Sequence, residues 1–552
     1  MAKYTKLEMD DWKAKLKQFT SIELKSMFPI ARDLKRELHF YMGQTNSGKT
    51  YQALQELQNS SSGMYLAPLR LLALENYESL NNNGIQTSLI TGEEEIIQED
   101  STHISSTIEM MNYNFDVDVV VIDEVQMLED KDRGWAWINA IIGAPASKVI
   151  MTGSSNALSA VKEIASYLGE PLFVKEFKRK NPLLLLDAPI KQNKITKGSA
   201  IIAFSRKSVL ALQQQLSKKY KISIIYGSLS PEVRKEEARR FREGETDILI
   251  STDAIGMGLN LPIKTIIFSQ IIKFDGIEKR EINSNEIVQI AGRAGRYNYH
   301  EVGYIGAFSK KELDVLHHRF HQKLRTIKAP YNLQANYDQV EQISDFLKTQ
   351  SLFKILEFFE KNMKFDGPFR AVNIDQQKTL AKFLDKTKLD LHSKYNLSLA
   401  PVSLRIPRVM NRFNSIVFSL EKRKLIKFDI RPQLAKLQSI AKTEFDMLNA
   451  EDLLKEITMY LWLSFKFRDK FISVEDMKQL KVVVNDYISR SLKSGKFISV
   501  RDKRSNRPRT HAQDLRRPQN RAQNRPSNRR GQRNNNTNRS NNRPQNNKKD
   551  TK

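Results

Sequence analysis

The chain of 552 residues contains no cysteine. That excludes disulfides, thiolate zinc sites and cysteine-held iron–sulfur clusters. Histidine is also scarce, with 8 scattered residues, so a zinc site is not expected. No apolar run reaches the ~18 residues of a membrane helix. The richest strings, "DVVVI" and "PLLLL", have the length of buried strands. The opening "MAKYTKLEMDDWK" lacks a signal-peptide core and carries Glu8, Asp10 and Asp11, which a transit peptide avoids. These absences lead to the expectation of a cytoplasmic protein without membrane partners. What is abundant is positive charge, +27 overall. Residues 501–552 hold 17 Lys and Arg against 3 Asp, a surplus of 14, so half the excess lies in the last tenth of the chain. Such a balance points to polyanionic partners.

Five segments follow from the patterning. Residues 1–37 read as one or two short helices, with Leu7, Trp12, Leu16 and Phe19 at helical spacing. From 38 to 180, short apolar runs alternate with helical stretches ("LHFYM", "GMYLAPL", "VDVVVID", "KVIMTG", "LFVKEF"), the pattern of a parallel sheet covered by helices. The basic stretch Lys175–Pro182 reads as a connector, and a second alternating set occupies 181–312. Residues 313–498 read as amphipathic helices. The Asn/Arg/Pro-rich remainder, 499–552, has too few apolar residues to offset ordering entropy and reads as a disordered basic tail. The fold class expected is α/β: two tandem parallel-sheet domains, then a helical C-terminal region and the tail.

The chemistry begins at "YMGQTNSGKTYQAL", which contains Gly43-x-x-x-x-Gly48-Lys49-Thr50. This phosphate-loop pattern follows a predicted strand and opens a predicted helix, the context the motif requires. Its glycines let backbone N–H groups wrap phosphates, and the helix N-terminus adds partial positive charge. Gly43, Gln44, Thr45, Asn46, Ser47, Gly48, Lys49 and Thr50 are therefore assigned to a nucleotide's phosphates. Lys49 is expected at the β and γ phosphates and the Thr50 hydroxyl on Mg²⁺. About 75 residues on, "VDVVVIDEVQ" ends a strand in two carboxylates. Asp123 is expected to hold Mg²⁺ through water, and Glu124 to orient and deprotonate the attacking water. Adjacent carboxylates there favour hydrolysis over transfer to a small molecule. In "QIAGRAGRY", Arg293 and Arg296 lie three apart, on one face of a helix. Alone they fit a basic surface helix at least as well as a pair of arginines facing the γ phosphate.

The order of motifs resembles superfamily 2 helicases of the DExH/DExD type over about residues 40–310. "GQTNSGKT", "APLRLLA" (67–73), "TGEE" (91–94), "DEVQ" (123–126), "TGS" (152–154), "IIAFSRK" (201–207), "ILISTDAIGMGLNLPI" (248–263) and "QIAGRAGR" stand where motifs I, Ia, Ib, II, III, IV, V and VI stand in that superfamily. "SSTIEMMN", "IDEVQM", "YNLSLAPVS" (395–403) and "YLWLSFKF" (460–467) resemble the Suv-three family, the ATP-dependent helicase of the mitochondrial degradosome and its bacterial relatives. The "TGS" motif departs from the usual form of that family.

The resemblance implies two RecA-like domains and an NTP-driven RNA helicase of 3′-to-5′ polarity, with ATP in the interdomain cleft. Gln289, Arg293 and Arg296 would form the wall facing Lys49, Asp123 and Glu124, with Asp253 and Gly256 also at the nucleotide. It further implies nucleic-acid backbone contacts at Arg70, Thr91, Thr107 and Thr252, and an exoribonuclease partner. No adenine-reading glutamine motif precedes the loop. Trp462 is expected to pack in a core rather than stack bases. The alternatives are a DNA helicase or translocase, or an ATP-gated RNA-binding clamp.

Overall fold

The computed structural model describes residues 14–256, 260–296, 299–372 and 375–495. The expectations for Leu7 and Trp12, and for the 499–552 tail, lie outside these residues.

The first domain is an eight-stranded sheet: β1 (Glu37–Gly43), β2 (Gly63–Ala67), β3 (Thr87–Ile90), β4 (Glu95–Ile96), β5 (His103–Thr107), β6 (Val117–Ile122), β7 (Ala146–Gly153) and β8 (Leu172–Phe177). Their spatial order is β4-β3-β5-β2-β6-β7-β1-β8, parallel throughout except for the β3–β4 pair. The run Val117–Ile122 forms β6 because both of its faces are covered. Val120 and Ile122 join the cluster under Trp137, while Val119 and Val121 join the cluster under Leu57. β7 separates β6 from β1, so the carboxylates that follow β6 and the phosphate loop that follows β1 open onto the same sheet edge.

The second domain is a six-stranded parallel sheet of β9 (Leu183–Leu185), β10 (Ser199–Ile202), β11 (Ile222–Ile225), β12 (Ile248–Ser251), β13 (Thr265–Phe268) and β14 (Gly303–Ala307). The spatial order is β9-β14-β13-β10-β12-β11. Only three residues of "PLLLLDAPI" pair, at the sheet edge, and Leu184 is half exposed. An antiparallel hairpin, Ile272–Phe274 with Lys279–Glu281, projects between β13 and the motif VI helix.

The helical region is not uniformly helical. Tyr331–Leu333 pairs with Phe369–Ala371, and Lys364–Phe365 pairs with Ser21–Ile22 near the N-terminus. The apolar stretch 343–363 breaks at Lys348, whose φ of 48° ends one helix, Tyr337–Leu347, before the next, Leu352–Asn362. The region serves both domains. Ile327, Tyr331, Leu333 and Phe369 belong to the core of the first. Residues from Leu380 to Leu492 share one core with Ile201, Ile224 and Ile250 of the second. In that second half, the helices Pro407–Glu421, Glu444–Lys466 and Val474–Ser494 pack on the second sheet. Buried Glu451 fastens them, accepting hydrogen bonds from Arg206 (2.7 Å), Tyr226 (2.8 Å) and Ser228 (2.8 Å).

Candidate active site: a nucleotide cleft between two sheets

The loop after β1 turns through Asn46 (φ 63°) and Gly48 (φ 89°) before the helix α1 (Lys49–Gln58) begins. Gly48 takes the left-handed region at little cost, as a loop wrapping phosphate requires. Lys49 is buried at the head of α1. The Thr50 hydroxyl donates to Asp123 Oδ1 at 3.2 Å.

Asp123 is 3% exposed and held on all sides. Tyr65 donates to Oδ2 at 2.8 Å, Thr152 donates to Oδ1, and Trp137 Nε1 donates to the Asp123 carbonyl at 3.0 Å. Burial raises its pKa and the Glu124 charge raises it further, against lowering by Thr152, Lys49 and Tyr65. Glu124 sits in the left-handed region, φ 54°, which is costly for a side chain other than glycine. That conformation turns its carboxylate into the cleft, where Gln126 Nε2 donates to it. The Gln126 carbonyl oxygen accepts from the Ser154 N–H at 3.1 Å, so the "TGS" segment is tied to the "DEVQ" segment through one side chain.

The second domain supplies the opposing wall from the helix Ser284–Ala291 and the turn after it. Arg293 is half-buried; its partial burial lowers its pKa, and Glu124 and Asp123 facing it raise it. One guanidinium nitrogen donates to the Gly256 carbonyl, while Nε has no protein partner. Burial and the neighbouring Arg293 lower Arg296 to about 10. Two connected recesses result. One of about 420 Å³ is lined by Thr45–Tyr51, Asp123, Glu124, Arg293 and Arg296. The other, about 870 Å³, is lined by Gly43, Gln44, Gln126, Arg179 and Gln289 among others, and shares Thr45, Lys49 and Glu124 with the first. Of the remaining sequence assignments, Gly256 lies against Gln289, whereas half-exposed Asp253 is ion-paired with Lys273 at 3.0 Å and lines neither recess.

Three residues of this site escape motif reading. Arg179, in the connector, donates to the carbonyls of Thr45 (2.9 Å), Asn181 (2.7 Å), Gly292, Ala294 and Gly295. It thereby joins the phosphate loop to the motif VI turn. The approach is close enough that a Cβ on Gly292 would stand 2.7 Å from Thr45 Cβ. Tyr65 is the second. The third is Glu75, on the helix Arg70–Asn82, which lines the smaller recess beside Arg296. Burial raises Glu75 to about 7; Arg242, Lys235 and Arg296 oppose that rise and Glu78 adds to it. A carboxyl raised when folded costs nothing at low pH and costs stability as pH climbs from its ordinary 4.5 to about 7. Glu75→Gln should therefore unfold at higher temperature than wild type at pH 8. The ceiling on the gain is about 3 kcal/mol, because a tenfold change in proton affinity is worth ~1.4 kcal/mol. The gain should shrink by half or more at pH 5.5; equal gains at both would refute the assignment.

The residues assigned to nucleic acid lie at the carboxyl ends of strands. Of the adjacent strands β2, β3 and β5, Arg70 and Thr91 follow the first two and Thr107 ends the third; Thr252 follows β12. Arg70 is not a free cation here. It pairs with Glu93 (2.6 Å), Glu94 (2.8 Å) and Glu232 of the second domain (3.4 Å), and Lys481 of the last helix pairs with Glu93 and Glu232, each at 3.2 Å. The Thr91 hydroxyl accepts from the Glu94 N–H at 3.1 Å and the Thr252 hydroxyl from the Ala254 N–H at 3.3 Å, both turn-capping roles. Trp462 is half-buried against Gly92, where a Cβ would stand 3.1 Å from the indole.

Comparison with known proteins accords with this geometry. Residues 25–177 match the DEXQ-box helicase domain of Suv3, 183–298 the helicase conserved C-terminal domain, and 447–494 the ATP-dependent RNA helicase SUV3 C-terminal domain. The mitochondrial DExH-box ATP-dependent RNA helicase DExH16 of Arabidopsis thaliana is 33% identical over 480 residues, 86% of this chain and 83% of that protein. The mitochondrial ATP-dependent RNA helicase SUV3 of Saccharomyces cerevisiae is 34% identical over 475 residues, 82% of this chain and 64% of that protein. Mitochondrial SUPV3L1 of Gallus gallus is 32% identical over 496 residues, 87% of this chain and 62% of that protein. The expectation of a cytoplasmic protein is overturned by these names: all three relatives are named as mitochondrial proteins. The absences that suggested it, of a transit-peptide composition and of long apolar runs, do not specify a compartment. With two helicase sheets facing one cleft and a SUV3-type helical region behind them, the chain belongs to the Suv3 family of ATP-dependent, NTP-hydrolysing RNA helicases.

Proposed function

We propose that this protein hydrolyses ATP with Mg²⁺ to move 3′-to-5′ along single-stranded RNA, unwinding duplex ahead of it and feeding an exoribonuclease. The observation that carries the reading is Arg293, half-buried in the second domain yet facing Asp123 and Glu124 of the first. A γ phosphate between them would meet Lys49 from one wall and Arg293 and Arg296 from the other, so ATP would close the cleft and hydrolysis would release it. The larger recess leaves room for the nucleoside.

Thr50 and Asp123 suit Mg²⁺. They are hard oxygen donors 3.2 Å apart at the head of the phosphate loop, and the buried carboxylate needs compensating positive charge. When bound, the ion would neutralise charge on the β and γ phosphates. Glu124 would orient and deprotonate water, and Gln126 would fix the Glu124 carboxylate.

Strand displacement tests motor and polarity together. A duplex with a 3′ single-stranded RNA overhang should be unwound with ATP, whereas 5′-overhang and blunt duplexes should not. Equal displacement of the 5′ form would reverse the polarity, and no displacement alongside RNA-stimulated ATPase would favour a clamp.

A further inference from the structure

The helical region presents a cationic face that the motor cleft does not use. The helix Pro407–Glu421 gives way at its last residue to "EKRKLIK" (421–427). Its exit turn is tight: the N–H groups of Lys422, Arg423 and Lys424 donate to the carbonyls of Phe418 (3.0 Å), Leu420 (3.0 Å) and Ser419 (2.8 Å). The chain then runs parallel to residues 470–472. The Ile426 N–H donates to the Lys470 carbonyl at 2.7 Å and the Ile472 N–H to the Ile426 carbonyl at 3.2 Å, with Ile426 opposite Phe471. Ile426 and Phe471 are both core residues. Extended chain alternates sides, so Leu425, Lys427, Lys470 and Ile472 all turn outward, and all four are exposed.

The result is three apolar side chains about half exposed, Phe418 (55%), Leu425 (54%) and Ile472 (50%), set among Lys422, Arg423, Lys424, Lys427 and Lys470. Lys422 Nζ lies 5.8 Å from the Phe418 ring centroid. Among the described residues none of these five cations forms an ion pair, whereas Arg408 and Arg412, earlier on the same helix, are both neutralised by Glu456. The acids nearby are few and partly committed: Glu421 accepts from the Lys388 N–H, Asp429 pairs with Arg431, and Asp469 is exposed.

Unpaired cations draw a polyanion by releasing its counterions, and exposed aromatic and apolar side chains give its bases a stacking surface. An acidic peptide would satisfy the charge and leave Phe418 uncovered. We propose that this face binds single-stranded RNA outside the motor cleft, phosphates on the five cations and bases against Phe418, Leu425 and Ile472. The assignment rests on the reading of the chain as an RNA helicase and adds a second, sequence-tolerant grip to it.

The test uses the full-length chain, tail included. Oligouridine of 30 residues carrying 5-iodouridine should photocrosslink to the peptide containing Phe418–Lys427. The triple variant K422E/K424E/K427E, the milder K422Q/K424Q/K427Q and F418A should each lose that crosslink. In the triple variant, affinity for the 30-mer should fall about tenfold and the salt slope by about 2, at ~0.7 for each phosphate left without its cation. ATPase stimulated by a saturating 10-mer should match wild type, because the substitutions leave the motor domains untouched. No crosslink in this segment with unchanged 30-mer affinity in all three variants would overturn the proposal, as would protection of the segment by polyglutamate and not by RNA. If RNA failed to stimulate the wild-type ATPase, the helicase reading would fall instead, while the crosslink would still report on this face.

Discussion

Glu124→Gln is expected to cut ATP turnover by about 10²- to 10⁴-fold, the usual contribution of a positioned general base, while ATP-dependent RNA binding survives. The change keeps size and lets the new carboxamide oxygen accept the hydrogen bond from Gln126. It removes a carboxylate that faces the cleft beside the phosphate loop and is not enclosed as Asp123 is by Thr50, Tyr65 and Thr152. In the mechanism proposed above, cleft closure depends on Lys49, Arg293 and Arg296 meeting the phosphates, and the variant leaves those groups alone. Single-turnover hydrolysis and RNA affinity with and without ATP measure the two effects separately. Turnover within threefold of wild type would remove Glu124 from the chemistry.

The second large effect is expected at Arg179. Its guanidinium is half-buried, without a carboxylate partner among the described residues, and its partial burial lowers its pKa to about 10. The charge is tolerated because five carbonyls accept from it. Two of these, on Thr45 and Gly292, lie on opposite walls of the cleft. Arg179→Ala strands those carbonyls and frees the motif VI turn from the phosphate loop. Hydrogen bonds to a charged group contribute about 1.5–3 kcal/mol, so kcat should drop roughly 10- to 100-fold, with a smaller rise in KM for ATP. Lysine keeps the charge and loses the planar fork, so Arg179→Lys should recover only part of the loss. Thermal unfolding monitored alongside separates a general loss of fold from loss of alignment. An alanine variant with wild-type kcat would show that the connector merely links the domains.

What the sequence reveals and what it hides divide along a physical line. The phosphate loop, "DEVQ" and "QIAGRAGR" are legible because each concentrates its chemistry within a few residues, the first two after a strand end and the third at a helix end. Arg179 lies in a stretch that reads only as basic, because its role comes from carbonyls more than 110 positions further along. Tyr65 sits inside an apolar run, "GMYLA", and its hydroxyl gains meaning only because β2 adjoins β6. Arg70 is visible as a cation, but the acids that occupy it come from two domains, so its engagement could not be read locally. The cationic face at 418–427 stands in plain view as "EKRKLIK", yet its apolar half depends on a parallel neighbour at 470–472.

The division of the helical region between two cores has a mechanical corollary. The chain crosses from the first domain to the second through 178–182, returns to the first between Leu316 and Ile327, and makes a second such crossing where the part anchored by Phe369 gives way to the part anchored by Leu380. Backbone and cores together form a closed circuit, like a hinge backed by a check-strap. The jaws cannot swing apart on the connector alone: every widening of the cleft must also stretch, bend or slide the second crossing. The stroke of such an engine is set as much by the slack in that strap as by the nucleotide between the jaws.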